Sequence, residues 1–410
     1  MFRLSNTVRD YAWGSQTRLA EFLGRTPTGR PEAELWIGAH EGDPSRLPDG
    51  RALGEAIADD PKQLLGGRVS DLFGDRLPFL MKVLAVDEPL SLQVHPSSGR
   101  ARLGHARESQ EGLPVESPER SYKDPWHKPE LLFALTRFEG MAGFRDVPGT
   151  AALLRLLHLP WADDVARRLE DGPAHQTLQA VTTETLALSG RGLSRTLRDV
   201  GHAARHAEAR GRRTDLRHRS SGREQQLVNR EAVRVFGLLA GLAEKYPKDP
   251  GVLVTLLLNH VVLAPGEAMF VDAGVIHAYT SGFGVEIMAS SDNVLRAGLT
   301  PKHRDIAELL HVTSFVPIPP PRWQSVQQGH GFTHIEPPVS EFSLTVGRPP
   351  LRRTPPSGPR VLLVLEGSVE VSTAGQSLAL RQGEAVFVTH EDGPFEVAGN
   401  GEVAVGSVPA

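Results

Sequence analysis

The chain has 410 residues, a formal net charge of −4 and no cysteine. That length predicts two or three domains, and the missing thiols exclude disulfides, thiolate zinc sites and cysteine nucleophiles, so any metal must take nitrogen and oxygen ligands. The opening MFRLSNTVRDYAWGS has no apolar signal core, no apolar run approaches the ~20 residues needed to span a bilayer, and the charge is mildly acidic; the expectation is a cytoplasmic protein with neither membrane nor nucleic acid as its partner.

Aromatic residues beside glycine mark the first 50 positions, at Tyr11-Ala-Trp13-Gly14 and at Glu34-Leu-Trp36-Ile-Gly38. Leu77 to His95 predicts two strands joined by a turn at Asp87-Glu88-Pro89. Ser91, Gln93 and His95 alternate with Leu92 and Val94, so the polar three share one face of the second strand. Pro96 ends that strand just past the histidine, placing His95 at a rim where a pocket opens. Gly99 to Tyr122 is polar and is expected to be a mobile loop. Asp124 to Glu130 then leads into an apolar strand, Leu131 to Leu135, with the carboxylate at its mouth.

From Ala151 to Pro250 leucines recur at helical spacing and strand signals disappear, which predicts a helical insertion. Within it Arg191 to Arg230 carries eleven arginines against four acids but no Phe, Tyr or Trp for base stacking, so it reads as a solvated, partly disordered loop or helix face rather than a nucleic-acid surface. Only seven of the 45 basic residues are lysines, and Lys82, Lys123, Lys128 and Lys302 all fall in the stretches singled out here. Lysine shifts its pKa more readily than arginine, which makes these four candidates for chemistry.

Gly266 to Lys302 concentrates polar residues in apolar, glycine-punctuated sequence. Gly266 opens a short strand, Ala268 to Val271; Asp272 to Gly274 turns; His277 begins the next strand. A short helix is expected over Asp305 to Leu310 and a proline linker over Pro317 to Pro321. The remaining chain is short apolar runs, Val361 to Leu365, Val369 to Val371, Leu378 to Leu380, Gly383 to Val388 and Phe395 to Val397, broken at Glu366-Gly367; this predicts a second small barrel. Aligning Gly383 with Gly266 puts Pro394 in the slot of His277, so that barrel would lack a metal ligand.

Gln93, His95, Glu130 and His277 together offer two imidazoles, a carboxylate and an amide oxygen, a set that leaves room for substrate on zinc and that manganese, cobalt or iron would also accept. Arg296 and Lys302, with a hydroxyl such as Ser91, suit a phosphate.

The Gly266 to His277 pattern resembles the second characteristic box of the cupin barrels, with Asp272 where proline is usual. Generic cupins carry His-x-His and a glutamate a few residues on; here Gln93 replaces the first histidine and a long loop precedes Glu130. That departure is similar to the class I mannose-6-phosphate isomerases. The stretches 77 to 97, 122 to 145 and 266 to 305, with His277-Ala-Tyr279, Glu286, Ser291-Asp292-Asn293, Arg296-Ala-Gly298 and Thr300-Pro301-Lys302, resemble that family, and the likeness covers the whole chain.

The resemblance implies a mainly β fold of two cupin-like jelly-roll barrels with an α-helical insertion. Residues 1–150 and 251–318 would build the catalytic barrel, 151–250 the insertion and 319–410 a barrel without metal ligands. It implies one zinc (Zn2+) per chain on Gln93, His95, Glu130 and His277, and interconversion of D-mannose 6-phosphate and D-fructose 6-phosphate through an enediol, with the small-molecule sugar phosphate as the partner and a monomer as the working unit. Arg296 belongs in that active site, where an always-charged guanidinium suits phosphate or enediolate binding better than proton abstraction. The base is open among Lys128, a metal-bound hydroxide and Glu286. Tyr279 and Asp292 are expected as substrate contacts and Trp13 as a cleft wall. Two rivals are a non-catalytic sugar-phosphate sensor, which would bind without turnover, and a cupin oxygenase, which would need iron and consume oxygen.

Overall fold

A computed structural model describes every residue except 218–222, 325, 329–330, 354–357 and 410, and side chains outside 213–229, 325–330 and 352–357. Its framework is two antiparallel sheets and a block of helices.

The strand His277–Ala289 is the axis of the first, 11-stranded sheet. Its first half pairs with Leu92–Val94 and Phe138–Phe144, and its second half with Phe79–Val86 and Glu130–Ala134. Every residue of this strand except Ser281 is buried, as is the whole of Phe79–Val86, so both strands carry core on both faces. The bend between the halves needs Gly282. It holds φ 133°, and a Cβ there would lie 2.5 Å from the Phe138 ring. Glu34–Gly38 continues the sheet beside Phe79–Val86, and Leu295–Gly298 pairs on Leu92–Val94.

The second, nine-stranded sheet is built mainly from residues after 325 and includes the start of the chain: Phe2–Leu4 pairs with Ala385–Val388, and the Met1 amino group lies 2.8 Å from Asp392. Phe79 and Ile287 of the first sheet share one core with Val361, Leu363 and Phe387 of the second. The break expected at Glu366-Gly367 is instead a bulge. Gly367 takes φ 72°, the register shifts after Val364, and the strand runs on as Arg360–Ser372; likewise the run at Phe395 extends to Ser407. Gly266 and Gly383 both hold positive φ, near 87° and 81°, two residues ahead of the strands Ala268–Val271 and Ala385–Val388, so the two segments share a turn plan.

Between Phe138–Phe144 and Leu258–Leu263, which pair with each other, the chain is helical as expected: Val147–Arg155, Pro160–Glu170, Ala174–Ala187, Gly190–Arg217 and Arg223–Lys245, followed by Gly251–Val254. The last two long helices bury Leu193, Leu197 and Val200 against Phe236, Leu239 and the rest of their common core. The described arginines at 191, 195, 198, 205 and 212 are exposed, in keeping with a solvated helix face; part of the arginine-rich stretch lies outside the described residues.

A second expectation is corrected. Residues 98–110 form a helix, Ser98–Gln110, where a loop was expected. Ser97 caps it by accepting from the Arg100 N–H. Its buried face is Ala101, Gly104 and Glu108, and small or polar residues give no apolar periodicity to read. Glu108 accepts the N–H groups of Ser121 and Tyr122, and the Tyr122 ring lies directly on Gly104.

Candidate metal centre

Strand register places the chemistry. His277 lies opposite Gln93, and Gln93 on its other side lies opposite Arg296. Glu130 is opposite Met288, further along the same central strand. The Asp272–Gly274 turn is tied to the rim because the Gly274 N–H donates to the His95 carbonyl.

Both imidazoles are fixed by backbone. His95 Nδ1 lies 2.8 Å from the Asn293 carbonyl and His277 Nδ1 lies 2.9 Å from the Val275 carbonyl. A carbonyl only accepts, so each Nδ1 carries the proton and each Nε2 presents a lone pair. Those Nε2 atoms lie 3.2 Å from the two oxygens of Glu130. The three residues are essentially fully buried, and their donor atoms fall within 4.8 Å of one another. Yet His95 Nε2 and Glu130 Oε2 meet no hydrogen-bond partner among the described residues. Buried acceptors aimed at a common point and left unsatisfied are costly unless a cation joins them. Ligands about 2.1 Å from a tetrahedral ion stand about 3.4 Å apart, close to the spacing observed.

Protonation agrees with that reading. Burial lowers His95 to about 4, against the pull of Glu130. Burial alone would raise Glu130, but His95 and Lys128, whose Nζ is 3.3 Å away, hold its carboxyl well below the ordinary range. Near neutral pH the centre is therefore a neutral His95 beside a carboxylate. Gln93 sits at its edge. Its amide nitrogen is 3.4 Å from His277 Nε2 and its oxygen faces Ser91, so the amide oxygen reaches the centre only with the two amide atoms exchanged.

A cavity of about 580 Å³ opens over the centre. Of the residues expected in the site, Trp13, Ser91, Gln93, Lys128, Glu130, Tyr279, Glu286, Asp292, Arg296 and Lys302 all line it, while His95 and His277 lie behind its wall. Burial and the Glu130 charge raise Glu286 to about 7, opposed by Lys82. Tyr279, raised by burial and then by Glu286 and Glu130, keeps its proton and has no hydrogen-bond partner among the described residues. Asp292 would be raised by burial, but His40 at 3.4 Å holds it well below the usual carboxylate range. Partial burial and then the Arg296 and Lys123 cations lower Lys302.

Sequence reasoning marked Lys82 only as one of four lysines suited to chemistry and gave Glu34, Trp36 and His40 no role in the site, and all four line the cavity. Lys82 is buried between Glu34 at 3.7 Å and Glu286 at 3.5 Å, with its Nζ over the Trp36 ring. Burial would lower its pKa, but the two carboxylates raise it. The one signal was a lone lysine inside the wholly apolar run LPFLMKVLAV. The segment Lys123 to Trp126 acts from behind. The Asn293 amide accepts from the Lys123 N–H and donates to the Asp124 and Trp126 carbonyls, while Asp124 accepts from Ser291 and from the Asp292 N–H, which fixes the carbonyl that orients His95.

Residues 1–147 match the family described as phosphomannose isomerase type I, catalytic domain, and residues 360–408 match the mannose-6-phosphate isomerase cupin domain. The chain is 37% identical to the mannose-6-phosphate isomerase of Escherichia coli K12, with 98% of each chain covered, and 33% identical to that of Bos taurus, with 95% of this chain and 93% of the relative covered. Among solved structures it resembles the Salmonella typhimurium mannose 6-phosphate isomerase bound to fructose 6-phosphate and zinc, with a TM-score of 0.86, 34% identity and full coverage of both chains.

Proposed function

The chain belongs to the mannose-6-phosphate isomerase family, and from that membership we propose that it is a zinc-dependent aldose-ketose isomerase interconverting D-mannose 6-phosphate and D-fructose 6-phosphate. The observation that carries the proposal is the convergence of two Nε2 lone pairs and the Glu130 carboxylate, unsatisfied and buried, beneath a cavity lined by Arg296 and Lys302. His95, Glu130 and His277 would hold the zinc, with Gln93 joining after exchange of its amide atoms. Zinc bound there supplies a Lewis acid that stabilises negative charge on a substrate oxygen.

The chain's own residues do the rest. Arg296 and Lys302, with Lys123 close enough to depress Lys302, form a cationic group suited to a dianionic phosphate. That grip fixes the far end of the open-chain sugar, so that C1 and C2 reach the deep end of the cavity. Glu286 serves as the base. A buried carboxyl titrating at about 7 both accepts a proton from C2 and returns it to C1 near neutral pH. Over the whole reaction the C2 proton ends on C1 and the O2 proton on O1. Lys82 sets the charge of Glu286, and the protonated Tyr279 hydroxyl faces Glu130 and Glu286 as a donor to developing oxyanion charge. Lys128, ion-paired to Glu130, is assigned to the metal ligand rather than to the proton.

The finer architecture belongs to the same proposal. Residues 1–150 and 251–318, apart from Phe2–Leu4 which pairs in the second sheet, form a catalytic jelly-roll barrel interrupted by the helices of 151–250, and 319–410, apart from Arg322–Trp323 which pairs in the first sheet, form a second barrel whose shared turn plan carries Pro394 instead of a ligand. No described helix is long and apolar enough to cross a membrane, and a cytoplasmic monomer completes the reading. The test is turnover of mannose 6-phosphate by purified protein as isolated, after chelation and after zinc is restored. Activity that ignores chelation, or zinc-loaded folded protein that binds sugar phosphate without converting it, defeats the proposal.

A further inference from the structure

Outside the substrate cavity lies a second open cavity of about 860 Å³, where the end of the Ala174–Ala187 helix and the start of the Gly190–Arg217 helix meet Lys248, Pro250 and Arg304. Arg191, Arg195, Arg198, Lys248 and Arg304 line it, and no acidic side chain among the described residues does. Arg191, Arg195 and Arg198 follow i, i+4, i+7 spacing and so share one helix face, where like charges repel. They also stand on the first turns of a 28-residue helix with no acid in its first turn, where the helix dipole and unpaired N–H groups are already positive. Arg198 meets Asp199 and Arg304 meets Asp249, whereas Arg191, Arg195 and Lys248 form no ion pair among the described residues. Arg191 and Arg195 on the positive end of this helix, with Lys248 beside them, have no carboxylate partner among the described residues, and their mutual repulsion is a cost. A multiply charged anion removes that cost.

The cavity also has a route to the active site. Asp249, buried, accepts from Arg304 Nη1 at 2.8 Å and from the Gly251 N–H with one oxygen, and from the Leu299 N–H at 2.8 Å with the other. Leu299 takes φ 58°, a conformation that leucine rarely adopts, and it lines the substrate cavity with Thr300 and Lys302. The segment 299–304 is thus a wall with the substrate cavity at one end and Arg304 in the second cavity at the other.

We infer that this second cavity is a regulatory site for a phosphorylated, multiply anionic metabolite, whose phosphate draws Arg304 from Asp249 and so loosens the wall that carries Leu299 and Lys302. Because the substrate cavity also attracts phosphate, the test separates the two. Binding of inorganic phosphate to full-length, zinc-loaded protein is measured by calorimetry at fixed ionic strength in an Arg296→Ala/Lys302→Ala background, with and without Arg191→Glu/Arg195→Glu, circular dichroism and zinc content confirming that each variant is folded and loaded. Phosphate is expected to bind the background and to weaken at least tenfold on charge reversal. With the substrate cavity intact, phosphate is expected to lower kcat at saturating mannose 6-phosphate about twofold or more, and the Arg191→Glu/Arg195→Glu enzyme, normal without phosphate, should lose that response. A background variant that does not bind phosphate, or binding that survives charge reversal, overturns the site. A kcat indifferent to phosphate overturns its coupling through Arg304.

Discussion

Replacing Lys82 with methionine should move the acid limb of the isomerase pH profile upward by about one to two units. Glu286 stands near 7 because burial and Glu130 raise it while the Lys82 ammonium, 3.5 Å away, opposes them. At an effective dielectric of ~20, a pair at that distance interacts by about 4.7 kcal/mol, a ceiling of about 3.5 pKa units at 1.36 kcal/mol per unit. Lys82 is shared with Glu34 at 3.7 Å, and removal lets water and side chains relax, so roughly a third to a half of the ceiling should appear. The sign is fixed: a base works deprotonated, and loss of the cation favours its protonated form. At pH 7 kcat/KM should therefore fall about 5- to 50-fold and recover above about pH 9. Methionine keeps the apolar stem, so the packing against Trp36 survives. The assay is initial rate at low mannose 6-phosphate with zinc saturating, from about pH 5.5 to 9.5. A limb that stays where the unaltered enzyme has it would show that Glu286 is not the group titrating. A uniform loss at every pH would show that Lys82 itself takes part in the chemistry.

His277→Ala should lose both zinc, by elemental analysis of the dialysed protein, and turnover, whereas Glu286→Gln should keep zinc and lose turnover by at least about 100-fold; zinc retained at full occupancy in His277→Ala defeats the ligand assignment. Metal-free protein should weaken in mild acid: His95, lowered to about 4 by burial, is protonated in the unfolded chain first, so stability present above pH 6.5 is lost as pH falls toward 4. The loss from His95 alone is about 3 kcal/mol, read from urea midpoints, and His95→Gln should flatten that window. Gly104→Val should cost about 2 kcal/mol, because a Cβ at this position lies 2.4 Å from the Tyr122 ring; an unchanged urea midpoint would show that the helix Ser98–Gln110 is free to shift outward.

What could be read in the sequence, and what could not, divides along the range of the interaction. His95 and His277 were legible because strand alternation, a terminating proline and a glycine turn are local signals that fix the face or rim each occupies, and Glu130, at the mouth of an apolar strand, became legible as a ligand only beside them. The helices of the insertion were legible for the same reason, through leucines at helical spacing. The helix Ser98–Gln110 was hidden because its contact is made by removal of side chain, at Gly104, and by hydrogen bonds from Glu108 to a segment further on. The contact of Lys82 with Glu34 and Glu286 was hidden by register: the three sit on adjacent strands separated by tens to hundreds of residues, and a slip of one residue would turn any of them to the opposite face. The network that sets the base is therefore specified by the core, since burial of both faces of Phe79–Val86 and His277–Ala289 is what forbids the slip. It follows that substitutions in that core, remote from the substrate, should alter the pH profile before they alter zinc occupancy, because the two histidine ligands are tied by hydrogen bonds to the backbone carbonyls of Asn293 and Val275, whereas Glu286 and Lys82 are positioned by strand register and by side-chain contacts with each other, Glu34 and Trp36.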